Sequence, residues 1–182
     1  NVISEWIKTE NQSIVLTADQ MSAEAISGAG YGLSEDVLLF EEDAAFSFNV
    51  TAPEAGAYQI ALNQMDIGES ILNHRIAVKI NGVYQYEASQ SIDLYTDWVF
   101  STNEFPLDRY GNEILPNSIK NASLKQTYLL DTTGLNSAPL LFNLRSGLNT
   151  IELIHVRGSF VVSDITIESP TTYLSYEDYL SL

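Results

Sequence analysis

Hydrophobic and polar residues alternate with a period of two through much of the chain. Phe46, Phe48 and Val50 alternate with Ser47 and Asn49. Tyr58, Ile60 and Leu62 alternate with Gln59, Ala61 and Asn63, and Ile76, Val78 and Ile80 with Ala77 and Lys79. That period places the apolar set on one face of a strand. Further apolar runs follow at Leu140-Phe142-Leu144, from Leu148 to Val156, and from Phe160 to Ile167. Turn residues punctuate them. Asn81-Gly82 predicts a two-residue hairpin returning through Val83 to Tyr86, Pro53 and Gly56 mark another hairpin, and Ser146-Gly147 and Arg157-Gly158 mark further turns. No stretch of ten or more residues inside the body carries a helical period. Many short strands with one apolar face predict an all-β chain folded as an antiparallel β-sandwich.

Two regions depart from that rhythm. Val2 to Ile7 and Ser175 to Leu180 each place an aromatic three or four residues from another apolar group, which is helical spacing. One reading is a lead-in over residues 1–13, a single sandwich domain over 14–170, and a linker or the opening of a following segment over 171–182. The other is a pair of terminal helices packing on one body. Residues 88–127 form the second departure, long, polar and turn-rich around Pro106, Gly111 and Pro116. A connection of that length either serves function or caps one end of the sandwich.

Charge and composition narrow the classes. The 182 residues carry 8 Lys and Arg against 24 Asp and Glu, a net charge of −16, with 45% hydrophobic and 18% charged residues. This is a globular composition. Eight scattered cations cannot build the basic face that a phosphate backbone or an anionic lipid surface requires, so nucleic acid is excluded as a partner. Cysteine is absent, which removes disulfides, thiolate metal sites and cysteine nucleophiles. The longest apolar runs, such as Val37 to Phe40, fall far short of the ~18 residues that predict a membrane helix.

A set of short motifs follows in fixed order. They are Phe46-Ser47-Phe48-Asn49-Val50, Gly56-Ala57-Tyr58-Gln59-Ile60, Gly68-Glu69-Ser70 leading into Arg75 to Gly82, Tyr86-Glu87-Ala88, and Trp98. Asp108-Arg109-Tyr110-Gly111-Asn112-Glu113-Ile114-Leu115-Pro116, Leu130-Asp131, Pro139 to Leu144, Gly147 to Ile151 and Ser175 to Leu180 complete the set. In these motifs the chain resembles the galactose-binding-like β-sandwich domains, the carbohydrate-binding modules of the family 6 and 35 type. More narrowly it resembles the copies attached to extracellular solute-binding proteins of Gram-positive sugar ABC transporters. The likeness spans about three quarters of the chain, and the Asp108 to Pro116 loop is its specific part. It implies a jelly-roll sandwich outside the cell or attached to its surface, non-catalytic, with a carbohydrate and neighbouring domains of the same polypeptide as partners. Modules of this kind often hold a structural calcium through a Glu-Ala-Glu element in the first strand and an Asp in the last. Here the first strand reads Thr17-Ala18-Asp19, and Asp164 stands one residue out of phase beside Ser163, which argues against that site. No cofactor is expected.

A sugar presents C–H groups on a ring face and hydroxyls at its edge, so recognition calls for an aromatic plate beside amide, carboxylate or guanidinium groups. The candidate ligand residues are Tyr31 in the loop Gly28-Ala29-Gly30-Tyr31-Gly32, Asn63, Trp98, and Asp108, Arg109, Tyr110 and Asn112 of the long loop. Tyr95 and Trp98 lie three apart, so on a strand they face opposite sides, and Trp98 beside Val99-Phe100 is the better core candidate of the two. The loop also has a self-contained reading, with Arg109 paired to a loop carboxylate and Gly111-Asn112 making the turn. His155 falls within a strand run as a structural histidine, and no nucleophile-elbow, zinc-protease or phosphate-loop motif occurs. Three functions follow: a glycan-binding module, a spacer or docking domain that binds no sugar, and, as a minor reading, a paired-carboxylate glycoside hydrolase.

Overall fold

The computed structural model describes residues 6–133 and 138–171. Thirteen strands dominate: β1 (Ser13–Thr17), β2 (Ile26–Ser27), β3 (Asp36–Phe40), β4 (Ala45–Ala52), β5 (Gly56–Asp66), β6 (His74–Ile80), β7 (Ile92–Leu94), β8 (Trp98–Phe100), β9 (Ser118–Lys120), β10 (Lys125–Tyr128), β11 (Leu141–Leu144), β12 (Gly147–Arg157) and β13 (Phe160–Glu168). A single helical turn, α1 (Ala18–Met21), follows β1, and 3-10 turns span Gly28–Tyr31 and Glu87–Gln90. Every strand pair is antiparallel. A seven-stranded sheet runs β10-β5-β13-β3-β2, with β1 also on β13 and β11 also on β5; a four-stranded sheet runs β4-β12-β6-β7; β8 and β9 pair only with each other. The expected antiparallel β-sandwich is the fold.

The alternation read from the sequence becomes the inter-sheet core. Phe46, Phe48, Val50 and Ala52 of β4 face Tyr58, Ile60 and Leu62 of β5, with Ile76, Val78 and Ile80 of β6 and Ile151 and Leu153 of β12 beside them. Phe40 stacks on Phe160 at 4.8 Å between ring centroids and meets Phe46 edge-on at 5.0 Å. Each such side chain removed from water contributes about 1.5–3 kcal/mol.

The hairpin expected at Pro53 and Gly56 does not form, because β4 and β5, which flank it, lie in different sheets. The chain does turn at Ser146-Gly147 and Arg157-Gly158, where it likewise passes between sheets, from β11 to β12 and from β12 to β13. Asn81-Gly82 does turn the chain, but the return stops at one bridge between Ile80 and Val83, and β6 pairs with β12 and β7 instead. At Pro53-Gly56, Ser146-Gly147 and Arg157-Gly158 the chain arches from one sheet to the other, whereas β2 and β3, β6 and β7, and β8 and β9 pair as chain neighbours.

In β13 the register on β5 shifts between Val162 and Asp164, so Ser163 is a bulge residue. Phe160, Val162, Ile165 and Ile167 all face the core as a result, while Asp164 lies opposite Asn63. A smaller apolar cluster of Val37, Met65 and Val161 forms on the outer face of the seven-stranded sheet, with Tyr31, Leu33, Leu39, Ile67 and Leu124 packed against it.

Residues 6–13, the described part of the expected helical lead-in, contain no helix. Ile7 accepts from the Ala57 amide at 2.8 Å and Lys8 bridges Ala57 in parallel, so pairing with β5 takes the backbone groups that a short helix would use. The closing Ser175–Leu180 motif lies outside the described residues.

Candidate functional site

Tyr31 ends the 3-10 turn that joins β2 to β3. A Cβ at Gly28 would lie 2.3 Å from the Glu35 carbonyl, so the loop closes on itself only with glycine there. Gly32 takes φ +77, in the left-handed region. The turn lays Tyr31, half-buried, on the Val37–Met65–Val161 cluster. Asn63 stands two residues before Met65 on the same face of β5 and is also half-buried. Its amide donates to Asp164 Oδ2 at 3.0 Å, and the Ser163 hydroxyl donates to the same oxygen at 2.7 Å.

The long region expected as a loop or cap contains a hairpin arm. Asn121 donates its backbone N–H to Asp97 at 2.9 Å, β8 pairs with β9, and Ser101 donates to Asn117 at 2.8 Å. Beyond a shift in register, Ile114 donates to Pro106 at 2.7 Å, Leu107 bridges Glu113, and Asp108 donates to Asn112 at 2.8 Å. Asp108, Arg109, Tyr110 and Asn112 therefore sit at the tip. The Asp108 carboxylate accepts from the Tyr110 amide at 2.8 Å, the Asn112 amide at 2.9 Å and the Asn112 side chain at 3.0 Å. Those bonds, the Asn112 side chain first, hold the Asp108 carboxyl below its ordinary value. Arg109 lies over the Tyr110 ring, 4.5 Å from its centroid, and bonds its hydroxyl, so the expected pairing of Arg109 with a loop carboxylate gives way to Tyr110.

At its base the arm is pinned by buried charge. The Lys120 ammonium lies 2.9 Å from Asp66 Oδ2 and donates to the Gly68 carbonyl at 2.8 Å. Asp66, 4% exposed at its side chain, also accepts from Thr96 Oγ1 at 3.2 Å and Gly68 N at 2.8 Å. Burial alone would raise its carboxyl, but Lys120, the Gly68 amide and His74 together hold it below its ordinary value. His74 Nε2 is 3.1 Å from the same carboxylate oxygen, off the hydrogen-bonding direction, and Nδ1 has no partner among the described residues. Burial lowers the His74 pKa by more than Asp66 raises it, leaving the ring neutral at pH 7. Gly158, φ +94, is required beside it: a Cβ there would lie 2.1 Å from Nδ1. His155 directs Nε2 at the Gly158 carbonyl at 2.6 Å, a structural contact.

Trp98 is not a core residue. It is 43% exposed, and its neighbours Val99 and Phe100 are similarly open, because β8 and β9 form a ribbon with no layer behind it. Tyr95 is 44% exposed. Residues 95–97 lie outside any strand, so the alternation that would set Tyr95 and Trp98 on opposite faces does not apply. Beside Trp98, Asp97 accepts from the Asn121 side chain at 2.9 Å and from Lys125 Nζ at 3.0 Å. These bonds, Asn121 first, lower its carboxyl.

Tyr31 and Asn63 lie on the outer face of the seven-stranded sheet, and the base of the arm that carries Trp98 adjoins that face. Ile67 and Leu124 pack on the cluster that carries Tyr31, Ile67 adjoins Gly68, and Gly68 receives Lys120, the cross-strand partner of Trp98. The tip residues contact one another, and among the described residues no hydrogen bond or ring contact joins them to Tyr31, Asn63 or Trp98. Sequence reasoning missed Asp66, His74, Lys120, Asp97 and Lys125: the Lys120 and Asp97 contacts arise only when the arm closes, and His74 meets Asp66 only when β5 and β6, in opposite sheets, come together. An open groove of about 500 Å³ at the other end of β13, lined by Glu10, Gln12, Glu168 and Ser169 among others, includes no aromatic side chain among the described residues. Among the described residues no three His, Cys, Asp or Glu side chains converge as a metal site, and no helix is long and apolar enough to cross a membrane.

No family model matches the chain, and no curated protein matches it. Solved structures do. The CBM35 from Cellvibrio japonicus Abf62 matches with a TM-score of 0.51 at 12% identity, over 88% of this chain and 95% of that one. A family 35 carbohydrate binding module from Clostridium thermocellum matches at 0.46 and 16% identity, over 86% and 97%. At these identities the likeness is one of fold, and the chain has the β-sandwich fold of the first of these modules.

Proposed function

We propose that this domain is a non-catalytic carbohydrate-binding module whose ligand site is the corner between the Tyr31 turn and the base of the arm. The observation that carries the reading is Trp98, an indole 43% exposed on a braced ribbon, next to a carboxylate already oriented by Asn121 and Lys125. An exposed aromatic plate takes the C–H face of a pyranose, and fixed carboxylate, amide and ammonium groups take its hydroxyls. Tyr31 and Asn63, with Asp164 behind it, supply a second aromatic and a second amide. Asp108 and Asn112 build the tip that presents Arg109 and Tyr110. Binding at so open a site is weak, micromolar to millimolar, about −8 to −4 kcal/mol. A net charge of −16 favours neutral glycans. The motif resemblance alone supports an extracellular or cell-surface setting, a larger sugar-uptake or glycan-handling protein of the solute-binding type, and a segment after residue 170 that leads into its next part.

The exposed apolar side chains of the arm favour a second reading, a docking or spacer domain. Leu107, Tyr110, Ile114 and Leu115 face solvent along it and suit a neighbouring domain. A glycan array read with calcium and again with chelator separates the two. Retention of one sugar class, lost in Trp98→Ala with an unchanged melting midpoint, is the expected result. Silence across neutral and charged glycans overturns the binding reading in favour of docking.

A further inference from the structure

The edge strands β7 and β10 belong to opposite sheets, and a groove of about 320 Å³ opens between Tyr95, which follows β7, and β10. Its walls include Tyr95, Lys125, Gln126, Thr127, Leu130 and Pro139, of which only Lys125 is shared with the site described above. We propose that this groove is a second subsite of that site, so that the domain binds an internal stretch of a neutral oligosaccharide laid from Trp98 to Tyr95. The inference rests on the carbohydrate reading and extends it from a single sugar to a chain.

Four observations meet here. The groove's volume falls at the lower end of the roughly 300–1,000 Å³ typical of small-molecule sites. Its lining repeats the chemistry of the Trp98 corner: a half-exposed ring at Tyr95 and apolar Leu130 and Pro139, rimmed by the amine of Lys125, the amide of Gln126 and the hydroxyl of Thr127. Its polar rim is continuous with that corner, because Lys125 reaches Asp97, the residue before Trp98. Finally, Thr127 is poorly satisfied from within. Its hydroxyl accepts from Gln64, 3% exposed, and donates to the Lys125 carbonyl, both at a long 3.4 Å, and the Gln64 Oε1 has no partner among the described residues. A hydroxyl held by two long bonds exchanges one of them for a ligand hydroxyl at little cost.

Length and charge define the ligand. Three residues separate Tyr95 from Trp98, a backbone reach of at most about 10 Å, which two linked pyranose rings cover. Lys125 is already paired with Asp97, so an anionic chain would find no spare cation in the groove.

Calorimetric titration with neutral β-1,4-linked cello-, xylo- and manno-oligosaccharides of one to six units tests this. In the unaltered chain, affinity for one series should climb with length. Tyr95→Ala should remove that climb, costing about tenfold on the hexasaccharide with the shortest ligand that binds unchanged, and Tyr95→Phe should restore it. Trp98→Ala should weaken every length. If Tyr95→Ala leaves hexasaccharide affinity within twofold while the unaltered chain binds, the groove is not a subsite and the Trp98 site stands. If the unaltered chain binds no member of any series, the site and the groove fall together.

Discussion

The sandwich body and the arm are built from similar side chains and held by different physics. In β4 every second residue is buried, because one face of the strand meets a second sheet and the other meets water. In β8 all three residues, Trp98, Val99 and Phe100, are exposed, although they are as apolar as anything in the core. The residues are alike; only the body has a layer for them to pack against. A two-stranded ribbon alone in water is marginal, so the arm relies on polar fastenings at its base, Lys120 to Asp66 and Asn121 and Lys125 to Asp97. A surface built this way can keep large aromatics available to a partner while the body supplies the stability.

The sharpest way to break that comparison is to truncate one phenylalanine in each region. Phe160 is fully buried, stacked on Phe40 at 4.8 Å and against His74 at 4.9 Å. Phe160→Ala should cost about 3–5 kcal/mol in denaturant unfolding. Phe100, exposed on the arm, meets Phe105 edge-on at 5.9 Å, and Phe100→Ala should cost less than about 1 kcal/mol. Equal losses would mean that the arm is part of the cooperative core.

A smaller effect is expected where the two regions join. Lys120→Met leaves Asp66 buried among Thr96, Gly68 and His74 without its main cation. Breaking a fully buried pair costs about 3–5 kcal/mol. Lys120 keeps 19% of its side chain in water, which reduces the expected loss to about 2 kcal/mol. Limited proteolysis should also cut between 101 and 117 faster than in the unaltered chain, with the sandwich still intact. Unchanged cleavage would show that the arm is fastened elsewhere.

The same contrast explains what could be read in the sequence. The strands of the body were legible because alternation is the imprint of a layer behind them. Their pairing was not. Gly147 at φ +87 and Gly158 at φ +94 say that the chain turns, but the next strand puts its apolar face inward whether it returns beside its neighbour or crosses to the facing sheet. The turn that carries Tyr31 was legible from its glycines. Trp98 as a core residue was misread because hydrophobicity predicts burial only where something exists to be buried against. Asp97 and Lys125 stand 28 residues apart, and no local pattern announces a contact that the closing hairpin creates.

The finest test of the junction is its response to acid. The groups facing His74 are Asp66, Lys120 and His155, together with the Phe160 ring and Gly158. Burial lowers the His74 pKa below its unfolded value of about 6.5, so below that pH the unfolded chain binds a proton that the folded one resists. The stability owed to a neutral His74 is therefore whole above about pH 6.5 and declines as the pH falls toward the folded pKa. Asp66, also lowered, keeps its contribution until the pH falls through the range of unfolded carboxyls near 4. Between pH 6.5 and 5 the two are separable. The melting midpoint should drop across that window in the unaltered chain and drop less in His74→Gln, whatever the variant's starting stability. Equal slopes would mean that His74 accepts its proton in place, and that the base of the arm tolerates a second cation against Asp66.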